Sequence, residues 1–338
     1  MSSIKPALKL WRLIQSHRVT AVIYVAAKLG IAELLRDRPQ SLNELAKSTG
    51  ADQQALNRLL VALSTIGICA PAGEDRYSLT ELGAGLDGTA EQSFKAWAIL
   101  EGQMLSNRWN GLLDSVMTGK TAAQLQGVSD SFELMGRNPE AVGVFNAGMV
   151  DITRFVTPDI LRAYDFAGIT HLMDVGGGSG ELIGAIARQY ADIGGTIFDL
   201  PRCAESATSH LDRIGVSGRI KFLAGDFFEA IPIGADVIIM KSIIHDWNDE
   251  RSLKILGNCR RALPENGKLL LVERIMPEFP SVSDEDRDQA MSDLNMLRGP
   301  GGLERTEKKY GRLLHDSGFQ QLAIHPAGVF SVIEARVC

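Results

Sequence analysis

Residues His171 to Gly180, H-L-M-D-V-G-G-G-S-G, restrict what this chain can fold into more than any other stretch. Apolar residues and one acid run into four glycines within five positions, and Glu181, Leu182, Ile183, Ala185 and Ile186 follow at helical spacing. The pattern predicts a buried strand, a tight turn and a helix start. Glycine is needed where the backbone takes φ > 0 or where a ligand comes within contact distance, and the first N–H groups of a helix are free to bind one. The turn therefore reads as a ligand cradle. A dinucleotide fingerprint, G-x-G-x-x-G, would put its third glycine where Glu181 stands. Asp174, Gly176, Gly178 and Gly180 instead form D-x-G-x-G-x-G, which argues against a nicotinamide dehydrogenase.

The rest of the chain must support such a cradle. With 338 residues it exceeds one ordinary domain, so two are expected. A net charge of −6 gives no global reason to bind nucleic acid or an anionic membrane. Cys69, Cys203, Cys259 and Cys338 lie far apart without C-x-x-C, so neither a zinc site nor a disulfide framework is indicated. Lys5, Lys9, Arg12 and Arg18 interrupt the apolar N-terminus, which leaves no signal-peptide core and no membrane span. A soluble, cytoplasmic protein is expected.

Residues 4 to 35 show two helix-period stretches whose apolar faces are broader than one small domain needs, which suggests a partner subunit. Ser41 and Glu44 have the form of a capping box, and Asp52 can cap a helix striped by Leu56, Leu59, Leu60 and Leu63. Ile68–Ala70 and Tyr77–Leu79 flank a turn, giving helix, helix, hairpin, a winged-helix arrangement. Such modules often bind DNA. Against that, residues 52 to 66 carry only Arg58 as a cation, and residues 1 to 100 hold eleven Lys/Arg against nine Asp/Glu. A dimerisation module is the stronger reading, and a ligand-responsive DNA-binding regulator the alternative from another class. Residues 93 to 164 read as helical throughout, rich in aromatic residues and methionine. Most of these belong to a core; Met104, Phe145 and Met149 are candidates for lining an apolar pocket.

Beyond the cradle, apolar strands at 196–198, 220–223, 236–240 and 268–272 alternate with helical stretches at 201–213 and 249–263. Such alternation predicts a doubly wound, mostly parallel sheet, an α/β fold with ligands outside the carboxyl ends of its strands. Asp199, Asp226, Lys241 and Glu273 fall at or just past those ends. Asp199 suits the two ribose hydroxyls of an adenosine, or a helix cap; Asp226 suits an adenine amino group with Phe227 against the ring, or a surface loop. His245 follows the fourth strand directly, and an imidazole suits proton transfer near neutral pH. Glu273 and Glu304 are carboxylates that could orient it.

Six motifs now stand in one order: D-V-G-G-G-S-G, F-D-L-P, G-D-F-F, M-K-S-I-I-H-D-W, L-V-E-R and G-G-L-E-R-T. Together the chain resembles the caffeate-type and acetylserotonin-type S-adenosylmethionine-dependent O-methyltransferases and their bacterial relatives, over nearly its whole length. The resemblance implies a Rossmann-like catalytic domain behind an N-terminal winged-helix-like dimerisation domain. The expected division is 1–92 for dimerisation, 93–164 for a helical connector and 165–338 for catalysis. It implies His245 as general base flanked by Glu273 and Glu304, with Gly176, Asp199, Leu200, Gly225, Asp226, Phe227 and Lys241 at the cofactor. Asp246, Asn295 and Trp247 would face a small hydroxylated aromatic, S-adenosylhomocysteine would be the co-product, and no metal would be required. A homodimer through the N-terminal helices is implied as well. An N-methyltransferase, or a relative using the same cofactor for other chemistry, is the near alternative. A phenol has a pKa near 10 and an ordinary imidazole near 6.5, so full deprotonation before transfer would cost about 5 kcal/mol.

Overall fold

The computed structural model describes residues 5–129 and 131–338. They form two compact units: residues up to Asn110 with Asn138–Phe155, and Gly111–Arg137 with Val156–Cys338. Residues 93–164 are thus divided between them. Residue 4, where the first helical stretch was placed, lies outside the described residues.

In the first unit the helices Pro6–Ile14, His17–Leu29 and Ile31–Leu35 precede β1 (Gln40–Ser41), and two helices, Leu42–Thr49 and Gln53–Thr65, follow it. Ser41 and Glu44 make the capping box that their spacing predicts, and Asp52 accepts from the amide of Ala55. Both devices satisfy amides that the first helical turn leaves free. β2 (Cys69–Pro71) and β3 (Arg76–Leu79) pair antiparallel as the expected hairpin, and β1 adds a third strand in the order β1-β3-β2. Leu45, Leu56, Leu60 and Leu63 fill this core with Ile31 and Leu35. Glu101–Leu105, carrying Met104, is a π-helical turn that no residue pattern announces.

In the second unit seven strands lie in the order β11-β12-β8-β7-β4-β5-β6. They are β4 (His171–Val175), β5 (Gly194–Asp199), β6 (Ile220–Ala224), β7 (Val237–Lys241), β8 (Lys268–Glu273), β11 (Phe319–Ala327) and β12 (Phe330–Val337). β4 to β8 are parallel, while β12 runs antiparallel to β8 and β11 to β12. A two-stranded parallel pair, β9 (Ile275–Met276) and β10 (Arg305–Thr306), stands apart. The edge strand β6 gives Ile220 to one core only, whereas alternate residues of β4, β5, β7 and β8 enter two separate cores, one with Leu172, Ile197, Ile239 and Val272, the other with Met173, Phe198, Met240 and Leu271. Burial on both faces is why these strands read as continuous apolar runs. From β4 the chain winds one way to β5 and β6, then returns to the other side for β7 and β8. The sheet therefore reverses between β4 and β7, and a doubly wound sheet opens its ligand crevice at that reversal. The glycine turn follows β4, and the turn of His245 follows β7.

Candidate active site

The β4 turn is built from backbone geometry that side chains resist. Gly176, Gly178 and Gly180 have φ of 74°, 56° and 77°. A Cβ on Gly176 would come 2.4 Å from Ile243 Cδ1, and one on Gly180 2.3 Å from Ile197 Cδ1, so isoleucine side chains already fill both directions. Gly178 differs, because nothing lies within 4 Å of its Cβ direction. Asp199 ties this turn to β5: Oδ2 accepts from Gly178 N at 2.8 Å and Oδ1 from Leu200 N at 2.6 Å. Gly225 is closed on its Cβ side by the Phe198 ring, and Asp226 Oδ1 accepts from Phe228 N at 2.8 Å. Phe227 lies with its centroid 6.3 Å from that of Trp247. Asp174 is buried with Oδ2 unpartnered; burial first, then nearby Asp199, push its carboxyl up to about 7. Lys241 is brought down to about 8 by burial, against the pull of Glu273 and Asp174.

At the end of β7, Ser242 takes φ 55°, a left-handed conformation that non-glycine residues hold only under constraint. A short 3-10 turn, Ile244–Asp246, then presents His245. Its Nδ1 lies 3.0 Å from Glu304 Oε1 and 3.7 Å from Glu273 Oε2, and its Nε2 lies 3.6 Å from Asp246 Oδ1. Glu273 Oε1 accepts the amides of Ile243 and Ile244 at 3.1 and 2.8 Å, fixing that carboxylate under the turn. Glu304 Oε1 accepts from Ser292 Oγ at 2.6 Å. Burial alone would lower the imidazole, but Glu273, Glu304 and Asp246 outweigh it and raise His245 to about 10. Burial pushes Asp246 up to about 7 against the pull of His245, and Glu273 is raised as well. The arrangement is an imidazole held at one nitrogen by buried carboxylates, a device for accepting a proton at the other. His245, Glu273 and Glu304 also offer donor atoms that all lie within 4.8 Å of one another.

The two family models that match the chain are an O-methyltransferase dimerisation domain over residues 11–86 and an O-methyltransferase domain over residues 109–320. The chain belongs to this O-methyltransferase family. It is 37% identical to the phenazine O-methyltransferase PhzM of Lysobacter antibioticus, over 97% of this chain and 95% of that protein. It is 29% identical to an 8-amino-8-demethylriboflavin N,N-dimethyltransferase of Streptomyces davaonensis, over 98% and 95%. Among solved structures, the one titled LaPhzM matches with a TM-score of 0.93 and 36% identity over 99% of this chain and 100% of that one. The O-methyltransferase NcsB1 from neocarzinostatin biosynthesis, solved with S-adenosylmethionine and 2-hydroxy-5-methyl naphthoic acid, matches with 0.77 and 28% over 95% and 96%.

Within this methyltransferase the residues singled out from sequence do not all gather in one place. His245, Asp246, Glu273 and Glu304 do. Asn295 lies on the helix Asp284–Arg298, its side-chain oxygen accepting from Arg298 at 2.6 Å. Trp247 is enclosed in the core against Phe228 and the Arg251 guanidinium, so it backs the turn. Met104, Phe145 and Met149 belong to the first unit. That unit also has a mostly apolar cavity of about 310 Å³ lined by Ile23, Leu86, Phe94 and Trp97, with Glu101 among its walls. Sequence reasoning missed the helix Asp284–Arg298 and with it Ser292 and Asp293, although Ser283 three residues before Asp286 is a capping signal. It also passed over Gly302 and Arg305, whose roles depend on how distant segments dock. Among the described residues no helix is long and apolar enough to cross a membrane.

Proposed function

We propose that this methyltransferase carries a methyl group from S-adenosylmethionine to a hydroxyl of a small, flat aromatic acceptor, with His245 as the base. One observation supports this above the rest: Nδ1 of a buried imidazole is committed to Glu304 at 3.0 Å, which leaves Nε2 for an acceptor proton. The cofactor, when bound, supplies a methyl on a positively charged sulfur that is already electrophilic, so no Lewis acid is needed to activate it. Gly176, Asp199, Leu200, Gly225, Asp226, Phe227 and Lys241 are proposed to hold it. Open space beside Gly178 and the unpartnered Asp174 Oδ2 fit such a cradle. Asp199 would exchange its amide contacts for ribose hydroxyls, and Asp226 with Phe227 would take the adenine.

On the acceptor side, Asp246 and Asn295 are proposed as polar contacts. Trp247 acts by packing. The raised imidazole changes the energetics from those of an ordinary histidine. A proton moving from a phenol of pKa near 10 to an imidazole of about 10 costs almost nothing, instead of about 5 kcal/mol. The cost is moved to an earlier step, because at neutral pH His245 already holds a proton. One proton must leave before the acceptor's can be taken, and proximity in a dry site then supplies the barrier reduction. We further infer a cytoplasmic homodimer with the working division 1–92, 93–164 and 165–338. The family's dimerisation domain over residues 11–86 and three buried, unpaired cysteines support it.

An aromatic amine is the second reading, favoured by the N,N-dimethyltransferase relative. An amine lone pair is already free, which would leave His245 idle. Labelled methyl transfer to matched phenols and anilines separates the two. His245→Ala should lose about 10²-fold or more in turnover on the phenol and keep its affinity for S-adenosylmethionine. Undiminished methylation by that variant would remove the base assignment.

A further inference from the structure

Segment Gly301–Arg305 approaches the His245 turn more closely than packing alone requires. A Cβ on Gly302 would stand 2.0 Å from the His245 carbonyl oxygen and 2.4 Å from Asp246 C and Trp247 N, so only glycine permits this approach. Leu303 N donates to His245 O at 2.9 Å, and Glu304 reaches His245 Nδ1. Arg305 is fully buried. Its Nη1 donates to Ile244 O at 3.0 Å and Leu303 O at 3.3 Å. Its Nη2 donates to Trp247 O at 2.8 Å, Ser252 Oγ at 3.3 Å and Asp249 Oδ1 at 2.8 Å, and Nε donates to the same Asp249 oxygen at 3.0 Å. The carbonyls of residues 244, 245 and 247 are thus taken by one short strap. On its amide side the turn is held by Glu273 Oε1, which accepts from Ile243 and Ile244, and by its own bonds from Asp246 N to Ile243 O at 3.2 Å and Trp247 N to Ile244 O at 3.3 Å. On its carbonyl side, apart from the Ser252 hydroxyl at 3.4 and 3.3 Å from Ile244 O and Trp247 O, the strap supplies the partners.

We propose that Gly302 and Arg305 are positioning residues for the base: by docking the strap on the His245 turn they set the imidazole against Glu304, and proton acceptance depends on that docking. The proposal rests on His245 being the base. It follows from reach and geometry. A guanidinium carries five donors in a rigid fork and can bind carbonyls on both sides of His245 at once; an ammonium of similar charge is a point with three donors on a flexible stem. Gly302 acts by absence, since any side chain there lifts Glu304 away from Nδ1.

Gly302→Ala and Arg305→Lys test this, with three readouts on each: turnover, calorimetric affinity for S-adenosylmethionine, and the titration of His245 followed by 15N-histidine NMR, assigned against His245→Gln. A misplaced catalytic group costs about 10²-fold. We expect a loss of that order in kcat, cofactor affinity within about twofold of wild type, and a His245 midpoint shifted down toward an ordinary imidazole as Glu304 withdraws. Wild-type kcat and an unmoved midpoint in both variants overturn the proposal, as does parallel loss of cofactor affinity and turnover, which would make the strap general scaffold. If Arg305→Lys does not fold, Gly302→Ala, which keeps the guanidinium, carries the same readouts. The NMR titration needs no turnover, so failure of the base assignment, read from an active His245→Ala, is distinguishable from failure of the strap.

Discussion

His245 gathers three carboxylates around one imidazole, and the consequence is a pH profile. Burial lowers it, while Glu273, Glu304 and Asp246 together raise it to about 10. The neutral imidazole, or equally the imidazolium paired with an ionised acceptor, therefore becomes more populated as pH rises through the neutral range. The ascending limb of kcat/KM should lie above 6.5, and Glu304→Gln, which removes one of the raising charges, should move it down while lowering kcat. Initial-rate profiles from pH 6 to 10 check this; a limb near 6.5 that the substitution leaves in place would contradict it. Asp174 makes a prediction of opposite kind. Its carboxyl is raised from 3.8 to about 7, so the folded state keeps a proton that the unfolded state loses. Stability falls as pH rises from about 4 to about 7 and is flat above, a loss of about 4 kcal/mol at 1.36 per unit. Asp174→Asn should escape it. Its thermal midpoint should gain on wild type steadily between pH 5 and pH 7.5, and a gain independent of pH would show that the raised carboxyl is not the cause.

At the scale of elements, the β4 turn separates glycines crowded by protein side chains from one with open space beside it. Gly178→Ala meets no protein atom, so its stability cost is confined to a left-handed backbone, about 1–2 kcal/mol. Its affinity for S-adenosylmethionine should nevertheless fall tenfold or more by calorimetry; unaltered affinity would place the ligand elsewhere. Which elements could be read from sequence follows the same division between core and ligand. β4, β7 and β8 were legible because burial on both faces makes them largely apolar, and the end-of-strand rule then brought Asp199, Lys241 and Glu273 to one crevice. The helix Asp284–Arg298 was not, since only Gln289, Met296 and Arg298 of its fifteen residues are buried and no apolar stripe of period 3.6 results. β9 and β10, two residues each, are too short for any pattern. Glu304 could be read from sequence as a carboxylate able to reach His245, but not how it gets there, because its approach depends on a glycine and an arginine that contact main chain.

For the whole molecule, the helix Pro6–Ile14 is the element that a single chain leaves unexplained. It has no buried residue, yet Leu10, Trp11 and Ile14 stand 59%, 63% and 66% exposed beside Leu8 and Leu13. A nine-residue helix is marginal in water without tertiary packing, so an apolar face of this kind requires something to cover it. The family's dimerisation domain begins within this helix, at residue 11, which makes a second copy the fitting cover. Light scattering should then give twice the 36.7 kDa mass of the chain. Trp11→Glu combined with Ile14→Glu touches no buried position and should leave the secondary structure measured by circular dichroism unchanged, while reducing the mass to that of one chain. A wild-type protein already at the single-chain mass, or a double variant that remains a dimer, would assign this face to another partner.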